Sequence, residues 1–252
     1  MMTIYPYLIV CPLVFLAGFI DAIAGGGGLI SIPAYIIAGL PPHFALGTNK
    51  FSSTMGTTMA TLQYARKGYI HWREALVSIL SALAGAYIGS NLAMLVPDNT
   101  FKIVMLVILP IIAVYVLFRK KLTSDKPAYP LGKTLVLISL LGFGIGMYDG
   151  FYGPGTGTFL MLALTGIAHI SLNDAAGITK TTNLTSNVTA LTVFLMNDVV
   201  WLKMGIIAAL FSIAGNYLGA RFFTQKGTAI VRPTIFVVLT VFFIKVCWDL
   251  WM

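Results

Sequence analysis

Long apolar runs follow one another through this chain from end to end, separated only by short polar loops. Of its 252 residues, 58% are hydrophobic and only 10% charged, and the mean hydropathy is +0.90. A soluble domain carries about 25% charged residues, so this chain has too few to coat a water-facing surface. It reads as a polytopic integral membrane protein. The fold class is all-α, because antiparallel barrel strands would alternate apolar and polar residues and these runs do not. No stretch is long or polar enough to form a soluble domain of its own.

A net charge of +8 raises the question of nucleic acid. The positions of the bases answer it, for they cluster in three short loops: Arg66, Lys67 and Arg73; Arg119, Lys120, Lys121, Lys126 and Lys133; Arg221, Lys226 and Arg232. Basic loops beside apolar spans are what the positive-inside bias produces, so no nucleic-acid partner is expected. Cys11 and Cys247 lie in apolar stretches without metal-type spacing, and His43, His71 and His169 sit at loop edges, so neither a disulfide framework, a metal nor a cofactor is expected. The N-terminal run lacks a basic leader and a small-residue cleavage site, and reads as a retained first helix.

The chain is also written twice. Gly47, Lys50, Ala60, Gly85, Tyr87 and Gly89 recur 130 positions later as Gly177, Lys180, Ala190, Gly215, Tyr217 and Gly219. Upstream, Gly18, Asp21, Gly25 and Gly27 recur at an offset of 128 as Gly146, Asp149, Gly153 and Gly155. Each half holds about five apolar segments, near 4–24, 29–40, 45–65, 72–96 and 100–118, then 132–149, 157–169, 175–197, 199–221 and 231–250. The second of each half rises only about 18–20 Å, against a hydrocarbon core near 30 Å, so it is expected to be a broken half-helix paired with the segment before it. Equivalent loops differ in charge: the loop after the third segment is strongly basic in the first half only, the loop after the fourth in the second half only. The expected architecture is therefore two inverted-topology repeats, 1–118 and 132–252, joined by a basic cytoplasmic linker over 119–131, with both termini outside.

Inverted repeats with paired broken helices are a transporter design, with the substrate near the midplane between repeats. The breaks here are Asp21-Ala-Ile-Ala-Gly25-Gly26-Gly27-Gly28 and Asp149-Gly-Phe-Tyr-Gly153-Pro-Gly155-Thr156-Gly157. A half-helix follows each at once, and its positive end favours an anion. Lys50 and Lys180 begin the third segments, where a cation opposes the helix dipole, and both are expected to neutralise a bound anion. Snorkelling to the nearer interface is the alternative for each. Thr48, Asn49, Thr179 and Asn183 would supply hydrogen bonds to an oxyanion, or bond only to neighbouring helices. Asp21 and Asp149 either exchange a coupling proton, cap the glycine turns, or pair with the lysine of their own half. Gly85-x-Tyr-x-Gly89 and Gly215-x-Tyr-x-Gly219 read as helix-packing seams.

Gly18-Phe-Ile-Asp-Ala-Ile-Ala-Gly-Gly-Gly-Gly28, Gly47-Thr-Asn-Lys50 and Tyr148-Asp-Gly-Phe-Tyr-Gly-Pro-Gly-Thr-Gly157 together resemble the sulfite exporter TauE/SafE family, from about Tyr7 to Phe243. That resemblance implies a bacterial inner-membrane permease moving small sulfur-containing anions such as sulfite or sulfoacetate, often outward. The expected partners are that anion and the lipid bilayer. A passive anion channel, a purely structural membrane subunit and an intramembrane enzyme are the competing classes. The last lacks any His-Glu-x-x-His or Gly-x-Ser-x-Gly motif to support it.

Overall fold

Helical segments separated by Gly and Pro punctuation are what the described residues, 4–118 and 127–222 of a computed structural model, contain. In chain order they are α1 (Tyr5–Ala24), α2 (Gly28–Ile37), α3 (Pro42–Arg66), α4 (Trp72–Met94), α5 (Asp98–Phe118), α6 (Leu131–Phe151), α7 (Thr156–Gly166), α8 (Leu172–Met196) and α9 (Leu202–Arg221), and no strand occurs among those residues. Outside them lie the tenth expected segment, 231–250, the bases Arg119, Lys120, Lys121, Lys126, Lys226 and Arg232, and Cys247. Local chemistry sets the ends. Pro42 opens α3 with its fixed φ, and the Ser171 hydroxyl caps α8 by accepting the Asp174 N–H at 3.3 Å. The 10 residues of α2 and 11 of α7 rise about half a bilayer core, as expected of half-helices.

The registers of close approach fix the helix directions. Gly215 and Gly219 of α9 meet Phe15 and Phe19 of α1 in the same order, so α1 and α9 run parallel. Gly85 and Gly89 of α4 likewise meet Phe143 and Met147 of α6. Helix α3 runs parallel to α9 (Phe51 on Gly205, Gly56 on Ser212), and α4 runs parallel to α8 (Ile70 on Gly177, Ser78 on Thr182). Helices α3 and α8 are antiparallel, since Lys50 meets Asn187 while Thr61 meets the Lys180 carbonyl. Hence α1, α3 and α9 point one way and α4, α6 and α8 the other. Arg66, Lys67, Arg73, Lys133 and Arg221 all arrive at one end, where Lys67 Nζ donates to the Ala220 carbonyl at 2.5 Å.

Burial follows the same plan. Among the described residues, α1, α4, α6 and α9 are long and apolar enough to cross a membrane. Leu76, Leu80, Leu83 and Tyr87 make an exposed stripe along α4, suited to acyl chains. The polar helices α3 and α8 lie inside, with Thr48, Asn49, Lys50, Thr179, Lys180, Thr182 and Asn183 all buried. A polar side chain in lipid is expensive, so the helices that carry them occupy the centre.

The glycine seams hold these layers together. A Cβ on Gly89 would overlap the Met147 carbonyl of α6, whereas one on Gly144 would meet nothing within 4 Å. Gly89→Ala should therefore destabilise the protein by about 1–3 kcal/mol through forced separation of α4 and α6, and Gly144→Ala should be neutral or better by up to about 1 kcal/mol. Thermal unfolding of the two purified variants checks this, and equal midpoints would refute the seam.

Candidate functional site

Two chain breaks that are far apart in sequence touch at the centre of the molecule. Helix α1 stops at Gly25, which has φ 68° and ψ 156°, a conformation only glycine holds comfortably. Its position is set by the other break: a Cβ there would overlap the backbone of Gly157 and Thr158. The Thr158 hydroxyl donates to the Gly25 carbonyl at 3.0 Å, and Gly28 lies against Pro154. Gly155, at φ 82°, turns the chain into α7. The starts of α2 and α7 therefore converge, bringing two positive helix ends to one place.

Each aspartate serves its own break and the lysine of the other half. Asp21 accepts the Gly27 N–H at 3.4 Å, and Asp149 accepts the Thr156 hydroxyl at 2.9 Å and the Ser186 hydroxyl. Lys50 pairs with Asp149 at 3.1 Å, and Lys180 with Asp21 at 2.9 Å. The lysines thus pair across the halves rather than within them. The reason is geometric: each lysine sits about two turns inside its own helix, level with the break of the opposite repeat. Lys50 also donates to Asn187 Oδ1 at 2.9 Å, and Lys180 to the Asp21 carbonyl at 2.5 Å. Both lysine side chains are buried inside the bundle. Such pairs roughly offset the desolvation of both charges, and breaking one strands a buried ion.

Between the breaks and α3, α8 and α9 lies a cavity of about 40 Å³, room for roughly two or three waters. Its walls include Asp21, Gly26, Gly27, Gly28, Asn49, Lys50, Asp149, Gly153, Thr156, Gly157 and Asn183. Thr48, Thr179 and Lys180 do not line it, nor do Gly25 and Gly155, which shape the turns behind it. Thr48 instead accepts the Trp201 N–H at 3.0 Å, and the Thr179 hydroxyl is buried without a partner among the described residues. The two lysines are therefore unequal: Lys50 faces the cavity and Lys180 is locked behind it.

Ser212 and Asn216 of α9 also line the cavity, and nothing in the reading of the motifs singled them out. They sit inside a small-residue seam, where Gly215 and Gly219 do pack against α1. The signal was a breach of the repeat: the first-half counterparts at offset 130 are Ala82 and Ala86. Two hydroxyl and amide groups replacing methyl groups in one copy alone mark a one-sided polar wall.

The comparisons agree with the motifs. The family model described as sulfite exporter TauE/SafE matches residues 10–246. A protein of Sinorhizobium named "probable membrane transporter protein" is 40% identical over 89% of this chain and 85% of its own length. One of the same description from Haemophilus influenzae is 35% identical over 93% and 92%, and one from Escherichia coli 33% identical over 93% and 87%. No solved structure matches at a significant level.

Proposed function

Since the chain belongs to the sulfite exporter TauE/SafE family of membrane transporters, we propose that it carries a small sulfur-containing anion such as sulfite or sulfoacetate out across the bacterial inner membrane by alternating access. The observation that carries this reading is the cavity where two helix starts and Lys50 meet. Helix ends and a buried ammonium favour an anion. The opposed directions of α1 and α6, of α3 and α8, and of α4 and α9 support two inverted repeats that rock about this point. The gathering of Arg66, Lys67, Arg73, Lys133 and Arg221 at one end supports a cytoplasmic face there, with the start of α1 outside.

Lys50 is shared between Asp149 and the guest. Anion flux is coupled to protons. In proteoliposomes, sulfite or sulfoacetate flux should saturate and respond to an imposed pH gradient. Ohmic, non-saturating flux would instead identify a channel.

A further inference from the structure

The cavity wall on α9 has chemistry that a bare oxyanion does not need. Asn216 is 2% exposed and wedged between two glycines, for a Cβ on Gly18 or on Gly56 would run into its amide. Its Nδ2 donates to the Ser212 carbonyl at 3.0 Å, which fixes the rotation of the amide. A flipped amide would set oxygen against oxygen, so the free atom must be the acceptor, Oδ1. That Oδ1 has no partner among the described residues, and neither does Oδ1 of Asn183, which lines the same cavity. Two buried acceptors call for a donor.

Charge points the same way. Lys50 and Asp149, and Lys180 and Asp21, cancel in pairs. What is left is two helix starts of about half a charge each, which balances one negative charge and not two.

Resting on the anion reading above, we infer that the guest is a monoanion carrying its own O–H or N–H donor, such as the hydroxyl form of hydrogensulfite or an amino-bearing sulfonate, and that Asn216 selects it by accepting that hydrogen. A dianion leaves a charge unbalanced. A donor-free monoanion offers Oδ1 of Asn216 no hydrogen to accept, and an unmet buried acceptor typically lowers affinity by a factor of about ten or more.

Sulfamate and methanesulfonate test this, being similar in size and both singly charged, with N–H donors only on sulfamate. Calorimetric titration of the purified full chain should show sulfamate binding at least about tenfold tighter than methanesulfonate, with sulfate weakest. In Asn216→Ala, which copies Ala86 of the first half, the sulfamate preference should collapse to within about threefold. Equal binding of the two monoanions to the unaltered protein, tightest binding of sulfate, or a preference that survives Asn216→Ala would each overturn the selection. The comparison on the unaltered protein stands even if the variant fails to fold. Binding of none of the three anions would overturn the anion reading as well, which separates the two failures.

Discussion

Lys50→Ala is expected to abolish anion binding and to destabilise the folded protein by about 3–5 kcal/mol. The two losses have separate causes. Stability falls because the Asp149 carboxylate, 6% exposed, keeps only its hydroxyl donors from Thr156 and Ser186 once the ammonium is gone. Binding falls because the one ammonium that lines the cavity among the described residues has been removed. Pairing the change with Asp149→Asn tells them apart. In Lys50→Met with Asp149→Asn no charge is stranded, so most of the stability should return, as replacing both members of a buried pair is often close to neutral. Anion binding should stay lost. Lys180→Ala offers the contrast: its partner Asp21 is 20% exposed and the lysine does not line the cavity, so residual binding is expected. Thermal unfolding and anion titration on the four proteins decide the matter, and normal binding by the double variant would remove Lys50 from the site.

Gly25→Ala should be the most damaging single methyl addition at the breaks. Two effects add there. A non-glycine residue at φ 68° and ψ 156° is strained by about 1–3 kcal/mol. The new methyl would also overlap the backbone of Gly157 and Thr158, which cannot rotate aside as a flexible side chain would. Overpacking of this kind typically adds about 1–3 kcal/mol more. Gly39 isolates the first effect, since it has φ 95° but nothing within 4 Å of an added Cβ. Gly39→Ala should lower the unfolding midpoint modestly and leave flux intact, while Gly25→Ala should abolish flux and lower the midpoint further. Equal effects would mean that the crossing of the breaks tolerates separation.

How much of this was readable beforehand depends on how far each feature reaches along the chain. Helix limits were legible to within a few residues, because apolar runs and the glycine clusters act locally along the chain. The short length of α2 and α7 was legible for the same reason. Which lysine meets which aspartate was not. Lys50 and Asp149 are joined only when α6 packs beside α8 and α4, and a pattern that repeats within each half suggests a partner within that half. The inequality of the two lysines was hidden by the repeat itself, since Gly47-Thr-Asn-Lys50 and Gly177-Ile-Thr-Lys180 look alike. Asn216 was hidden by its neighbours, for a lone amide between Gly215 and Gly219 reads as part of a seam. Differences between the copies, Ala86 against Asn216 above all, carry the information that the similarities obscure.

The parallel pairing of α1 with α9 has a consequence for how the protein is made. Helix α1 leaves the ribosome long before its main neighbour, Leu202–Arg221, is made. At about 5–20 residues per second of synthesis, roughly 10 to 40 seconds pass before that neighbour exists. For most of that wait the polar turn at Asp21 and the backbone of Gly25 have no counterpart, since Lys180 and Thr158 are also still to come. The first half is therefore expected to complete its fold only after the second half is made.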